Sequence, residues 1–450
     1  MQRDLTHGSI VWGLISFSLP LVAGNLLQQL YNIVDTWVVG RFLGNVALAA
    51  VGSAFSLMTL LTSLLLGLCM GSGVVFSQLY GAGNVERMKS ALFNAFVMIA
   101  LLALALTGLS YAFLPQLIAL LRIPAEAIAD ITDYLQVIFS GIVWVFLYNY
   151  LAAVLRSVGN SLAPLLFLLI STVVNIVLDL LFVLGFGWGV SGAAGATVIA
   201  QALSAIGIAA YFLLRHRALC PSRKHMRIDA PLLRRIAGMS ILTSVQQSIM
   251  NFGILMVQSL VNSFGIATMA AFAAGVKIDA FAYSPAQDFA NGFATFVAQN
   301  AGAGNIQRVR RGIATAAALS LLFCLVVSLL VFVFATPLLT LFIDPGETAI
   351  LAIGQGYLRT EGMFYVGIGL LFLLYAIYRG LERAGMSVVL TVISLGLRVA
   401  IAYAFAPAFG VMAIWLAIPI GWFIADAVGL AGLSRALRHA SSSSGKSPND

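Results

Sequence analysis

Long apolar stretches follow one another from end to end of this chain, broken only by short polar segments. Each is long enough to cross the ~30 Å hydrocarbon core of a bilayer as a helix, which takes about 20 residues. A spanning segment must satisfy its own backbone polar groups, so helices or a closed barrel are the only choices. The runs are too long for barrel strands and do not alternate. Only 9% of the 450 residues are charged and 61% are hydrophobic, too little polar surface for a soluble fold of this size. The expected class is an all-α membrane protein.

Polar breaks delimit twelve spans, at 12–39, 47–79, 91–114, 133–155, 162–184, 190–213, 237–261, 267–299, 313–336, 358–380, 387–406 and 410–433. The first is too long for a signal-peptide core and has no small-residue cleavage site after a short apolar region, so it reads as a retained helix. Lobes are expected over 1–213 (helices 1–6) and 237–435 (helices 7–12), joined by a basic cytoplasmic linker at 214–236. Residues 436–450 read as a disordered cytoplasmic tail. Cys69, Cys220 and Cys324 are scattered and imply neither a metal site nor a disulfide framework.

With the N-terminus inside, the cytoplasmic segments hold Arg3, Arg87, Lys89, Arg156, the seven bases of 215–235, Arg308, Arg310, Arg311, Arg379, Arg383, Arg435, Arg438 and Lys446. That is 19 of the 24 Lys and Arg, whereas the outward loops hold only Arg41 and Arg122. This asymmetry puts both termini in the cytoplasm. It also accounts for the net charge of +8 without nucleic acid as a partner.

The linker separates two related halves. At a constant offset of 221 residues, Gln78 meets Gln299, Gly81 meets Gly302, Gly83-Asn84 meet Gly304-Asn305, and Arg87 meets Arg308. Gly44 meets Gly265 at the same offset, and Gln28-Gln29 pair with Gln246-Gln247 after a small gap. Six spans per half is an even number, so the repeat is parallel, about an axis along the membrane normal.

Acids at matched positions occur in the first half only. In "QQLYNIVDTWVVG", Gln28, Asn32 and Asp35 fall at i, i+4 and i+7, one stripe of a helix. In "STVVNIVLDLLF", Asn175 and Asp179 fall at i, i+4, with Thr172 one turn earlier. Thr197 and Gln201 repeat that spacing in the sixth span, and Asn149 lies in the fourth. A charged Asp at mid-membrane costs about 2.5–3.5 kcal/mol even on the lenient insertion scale, so two in one bundle must be paired, protonated or hydrated. No base lies at comparable depth. Proton uptake, or Na⁺ held with amide and hydroxyl oxygens, is one reading. A helix-end position for Asp35 and a packing hydrogen bond for Asp179 are the alternatives. Pro20, fifteen residues before Asp35, favours a kink, static or acting as a hinge.

"LPLVAGNLLQQLYNIVDTWVVGRFLG", the two "GAGN" turns, "LRSVGNS" and "NIVLDLLFVLGFGWGVSGAAGAT" together resemble the multidrug and toxic compound extrusion (MATE) transporters, in their DinF-like prokaryotic branch. The likeness covers about residues 8–435. It implies twelve helices in two pseudo-symmetric six-helix bundles around a central cavity. It also implies an antiporter of the bacterial inner membrane that exports organic cations and amphipathic drugs against H⁺ or Na⁺. By the resemblance, Asp35 is the coupling acid of helix one, and Asn175 with Asp179 the pair of helix five. Asn149 and Thr197 line the same pocket, and Pro20 is the bending proline. Acids that the NorM-like branch carries in helices seven and ten are missing from "SVQQSIMNFGILM" and "FYVGIGLLFLLY", so the coupling ion is expected in the first lobe alone.

Substrate contact is expected from Gln28, Tyr31, Asn32, Thr172, Gln201 and Lys277, with other aromatics and Met residues adapting to varied cargo. Lys277 and Asp288 share a face of the eighth span, lining the cavity or balancing charge with Arg398 or Asp426. No cofactor is expected beyond the coupling ion, and no direct use of ATP, since no P-loop occurs. A monomer in the bilayer is expected. A flippase for lipid-linked oligosaccharides is the rival function; it would favour a basic cavity, where the first lobe offers acids. An intramembrane enzyme would need a metal or nucleophile cluster, which the sequence lacks.

Overall fold

The computed structural model describes residues 4–121 and 125–443. Arg3, Arg122 and Lys446, used above to orient the chain, lie outside them. Sixteen α-helices carry the described chain: α1 Ile10–Phe42, α2 Gly44–Gly81, α3 Val85–Ala112, α4 Leu114–Leu121, α5 Ile128–Ile138, α6 Ile142–Ser157, α7 Leu162–Asp179, α8 Gly189–Arg215, α9 Ala230–Asn262, α10 Ile266–Gly302, α11 Ile306–Val333, α12 Ala335–Leu339, α13 Thr348–Gly362, α14 Tyr365–Gly380, α15 Ala384–Phe409 and α16 Val411–Ser443. Eleven helical stretches are long and apolar enough to cross a membrane. The pair α13–α14, bent by 50°, makes a twelfth.

That last span differs from the expected straight helix over 358–380. Tyr357 and Tyr365 would stand ~12 Å apart along the axis of an unbroken helix. Both hydroxyls nonetheless donate to the one carboxylate of Asp279, from the two sides of the break. The tail also differs. Residues 436–443, expected to be disordered, continue α16, because Ala436 is buried and Leu437 and Ala440 pack on the apolar core.

The sequence repeat is a repeat of structure. Val85 and Ile306 begin helices, Ala112 and Val333 end them, and Leu114 and Ala335 begin the next, all 221 residues apart. The "GAGN" turns show why. Gly83 and Gly304 take φ of 69° and 73°, a left-handed geometry that costs glycine little. Asn84 and Asn305 then cap α3 and α11, their side chains accepting from the backbone N of Arg87 and Arg308 at 3.0 and 3.1 Å.

By packing, the chain divides into two units, one of Ala23–Ser244 and one of Asp4–Val22 with the residues from Val245 onward. The division departs from the expected lobe limits in two places, since α1 and α9 each change unit partway along. In the first unit, Asn94 of α3 accepts from Asp229 N at 3.0 Å and donates to Arg227 O at 3.1 Å, which ties down the basic segment before α9. Cys220 lies in that segment, and burial pushes its thiol up against the opposing pull of Arg217 and Lys89. Gly67 and Gly71 of α2 let α9 approach at backbone distance; a Cβ on Gly71 would sit 2.5 Å from Met239 O. In the second unit, Leu5 is held by the side chains of Gln299 and Asn300, and Arg308 donates to the carbonyls of His7 and Gly8, each at 2.9 Å.

Candidate cation site in the first unit

Asp35 lies inside α1, seven residues from its end, and is only 9% exposed. Its helix-end alternative therefore loses its premise. Asp179 is the last residue of α7 and fully buried. The helix does not stop there. It widens into a π-helical stretch over Leu180–Gly185, an irregularity that often accompanies function.

The i, i+4 spacing works as the sequence implied. Asn175 and Asp179 project from one face of α7. With its amide oriented to pair both ends, Asn175 donates to Asp179 Oδ2 at 3.0 Å and accepts from Thr197 N on α8 at 3.3 Å. Thr197 Oγ1 in turn meets the Tyr31 hydroxyl of α1 at 3.0 Å. Three helices are thereby joined through neutral polar groups. Asp35 and Asp179 are close enough for their charges to interact, and the ring of Tyr134 on α5 feels both. Asp35 Oδ1 and Asp179 Oδ1 each lack a hydrogen-bond partner. Among the described residues neither acid has an ion-pair partner.

Two carboxylates in one water-poor pocket, without a base, are stable only with a cation between them or a proton on one of them. The neighbours suit either. The Tyr31 hydroxyl, bonded to Thr197, lies within electrostatic reach of both acids, and carboxylate and hydroxyl oxygens are the ligand type that hard cations take.

Other expected residues are placed differently. Thr172 bonds back to Leu168 O on its own helix, and Asn149 to Val145 O on its own. Asn32 is half-buried on the Asp35 stripe, while Gln28 is exposed. Gln201 approaches Gly141, at the joint between α5 and α6, where a Cβ would stand 2.9 Å from its Oε1. Lys277 is an exposed residue of the second unit, with its ammonium 5.7 Å from the Phe342 ring centroid. It is not part of the carboxylate cluster.

The second unit holds a buried polar cluster, of which sequence reasoning named only Arg398, as a charge partner for Lys277 and Asp288. Asp279 on α10 accepts from Tyr357, at 2.5 Å, and from Tyr365. Glu361 and Arg398 lie within electrostatic reach of it, and all five are at most 9% exposed. The signal was present in "GVKIDAF" and "YLRTEGMFY", where acids interrupt apolar runs. At the offset of 221 Asp279 meets Met58 and Glu361 meets Ser140, so a comparison of the halves built on the acids of the first passed over both.

Twelve spans, a doubled six-helix pattern and an unpaired acid pair among neutral oxygens define a multi-pass membrane transporter. The MatE family model matches residues 20–181 and 240–404. The chain belongs to the MATE family of multidrug transporters. It is 30% identical over 401 residues to the probable multidrug resistance protein YpnP of Bacillus subtilis, covering 87% of each chain. It is 24% identical over 410 residues to the probable multidrug resistance protein NorM of Thermotoga maritima, covering 90% and 88%. Its fold matches an outward-facing multidrug resistance MATE transporter with a TM-score of 0.90 at 23% identity, over 98% of both chains.

Proposed function

We propose that this chain exports amphipathic organic cations across the bacterial plasma membrane in exchange for H⁺ or Na⁺, with the coupling ion held by Asp35 and Asp179. The observation that carries the reading is the acid pair itself, with two orphaned oxygens and no base in reach. The multidrug resistance relatives support the class of cargo. Asn175, Thr197 and Tyr31 position the acids and share the load of the ion. Gln28, Asn32, Thr172, Gln201 and Asn149 supply further polar surface on the same helices. A ligand moves an equilibrium between inward and outward states only through different affinity for the two, so cation occupancy of this pocket is the driving event. Pro20 provides the place where α1 bends as the charge state changes. The protein works as a monomer in the bilayer, with both termini in the cytoplasm and no cofactor besides the ion.

Purified protein in liposomes tests this. A fluorescent organic cation should move when either a pH gradient or a Na⁺ gradient is imposed, and the effective one identifies the ion. Transport that ignores both gradients would overturn the antiport reading.

A further inference from the structure

A second polar constellation in the fold has the opposite charge to the first. Arg379, in the last turn of α14, is only 4% exposed. Its Nη2 donates to Asn291 Oδ1 of α10 at 2.7 Å, and its Nε has no hydrogen-bond partner. Among the described residues it forms no ion pair. A buried guanidinium keeps its charge, and leaving it without an anion costs several kcal/mol in general terms. The C-terminal dipole of α14 supplies only about half a negative charge.

The guanidinium lines a narrow recess within the second unit, open at its mouth, with free space of about 10 Å³, room for about one water-sized group. Gln246 and Gln247 of α9, the repeat counterparts of Gln28-Gln29, line it together with Gln287 and Asn291 of α10. Tyr375, one turn before Arg379, lines it too, and Met250 and Phe372 supply its apolar side. No acid lines it. Gln246 is 1% exposed, and its Oε1 has no partner either. Asp426 is close enough for Tyr375 to feel its charge, yet both its oxygens lack hydrogen-bond partners and it does not pair with Arg379.

We propose that this recess binds the carboxylate group of a small organic acid or of a zwitterionic amphiphile. The unpartnered Nε–H can donate to one carboxylate oxygen, and the second N–H of Nη2, beside its bond to Asn291, to the other. The amides can turn N–H groups towards the same oxygens, while a ring or short chain attached to the acid lies outside, at the open mouth. The positive charge excludes metal ions. The site stands apart from the Asp35–Asp179 pocket and holds whether or not those acids couple transport.

Binding to the full-length purified protein in detergent tests this, with benzoate as the probe and benzamide as its neutral twin. Heat of binding or the shift in thermal unfolding is the readout. Benzoate should bind at least tenfold more tightly than benzamide to the wild type. Arg379→Gln should remove that preference, and Arg379→Lys should keep part of it. Arg310→Gln, which removes an exposed base on α11, should leave it intact. Equal binding of benzoate and benzamide to the wild type would overturn the proposal, and that comparison needs no variant to fold. So would unchanged benzoate preference in Arg379→Gln, or a loss in Arg310→Gln equal to that in Arg379→Gln.

Discussion

Replacing Asp35 by Asn probes the coupling site with almost no change of shape. Among the described residues Asp35 makes no hydrogen bond that the amide would break, and its Oδ1 has no partner. Folding should therefore be preserved. The charge is what changes. A unit charge about 4 Å from a bound cation, at an effective dielectric of about 20, contributes ~4 kcal/mol. Asp179 remains to hold part of the ion, so the expected loss of ion affinity is on the order of 100-fold or more, at 1.4 kcal/mol per factor of ten. If the ion is a proton, the Asn cannot carry it and coupling ends outright. In liposomes, export of a fluorescent organic cation under the effective gradient should fall to background. Exchange of the same dye across the membrane without any gradient should persist. Full gradient-driven export by Asp35→Asn would refute the reasoning, because a pocket with one acid would then do the work of two.

Further outcomes follow from individual contacts. Thr197→Val should cost about 1 kcal/mol in unfolding and weaken transport, because Tyr31 loses its partner; adding Tyr31→Phe should cost little more, and additive losses would show that the hydroxyls do not meet. Asn84→Ala and Asn305→Ala should each lower stability by about 1 kcal/mol through loss of the helix cap; a clear inequality in thermal unfolding would break the equivalence of the two turns. Gly71→Leu should block folding or expression, since even a Cβ there falls 2.5 Å from Met239 O; normal yield would mean that α2 and α9 separate readily. Tyr357→Phe should destabilise by about 1.5–3 kcal/mol, the worth of a hydrogen bond to a charged group, by stripping one donor from buried Asp279; an unchanged unfolding temperature would indicate that Tyr365 alone suffices.

The sequence by itself determined the spans, the repeat and one face of the acid pocket. These are properties of local chemistry. Apolar length fixes which segments enter lipid, because the backbone has no other way to satisfy its polar groups there. A glycine with positive φ followed by a capping Asn ends one helix and starts the next wherever it occurs, so the GAGN turns were legible at both sites. The i, i+4 rule places Asn175 over Asp179 whatever surrounds the helix. Tertiary structure decided what these faces meet. That Thr197 joins Asn175 to Tyr31, and that Tyr134 lies near both acids, depends on how α1, α5, α7 and α8 pack, which no spacing encodes. The assignment of residues 4–22 and 230–244 to units formed mainly by the other half of the chain depends on Asn300 and Gln299 gripping Leu5 and on Gly67 and Gly71 admitting α9. Likewise Asp279, Glu361 and Arg398 come from three helices far apart in sequence, and Arg379 and Gln246 from two others. Each comes from a different helix. Only packing shows whether such a residue has found a partner or has been left without one.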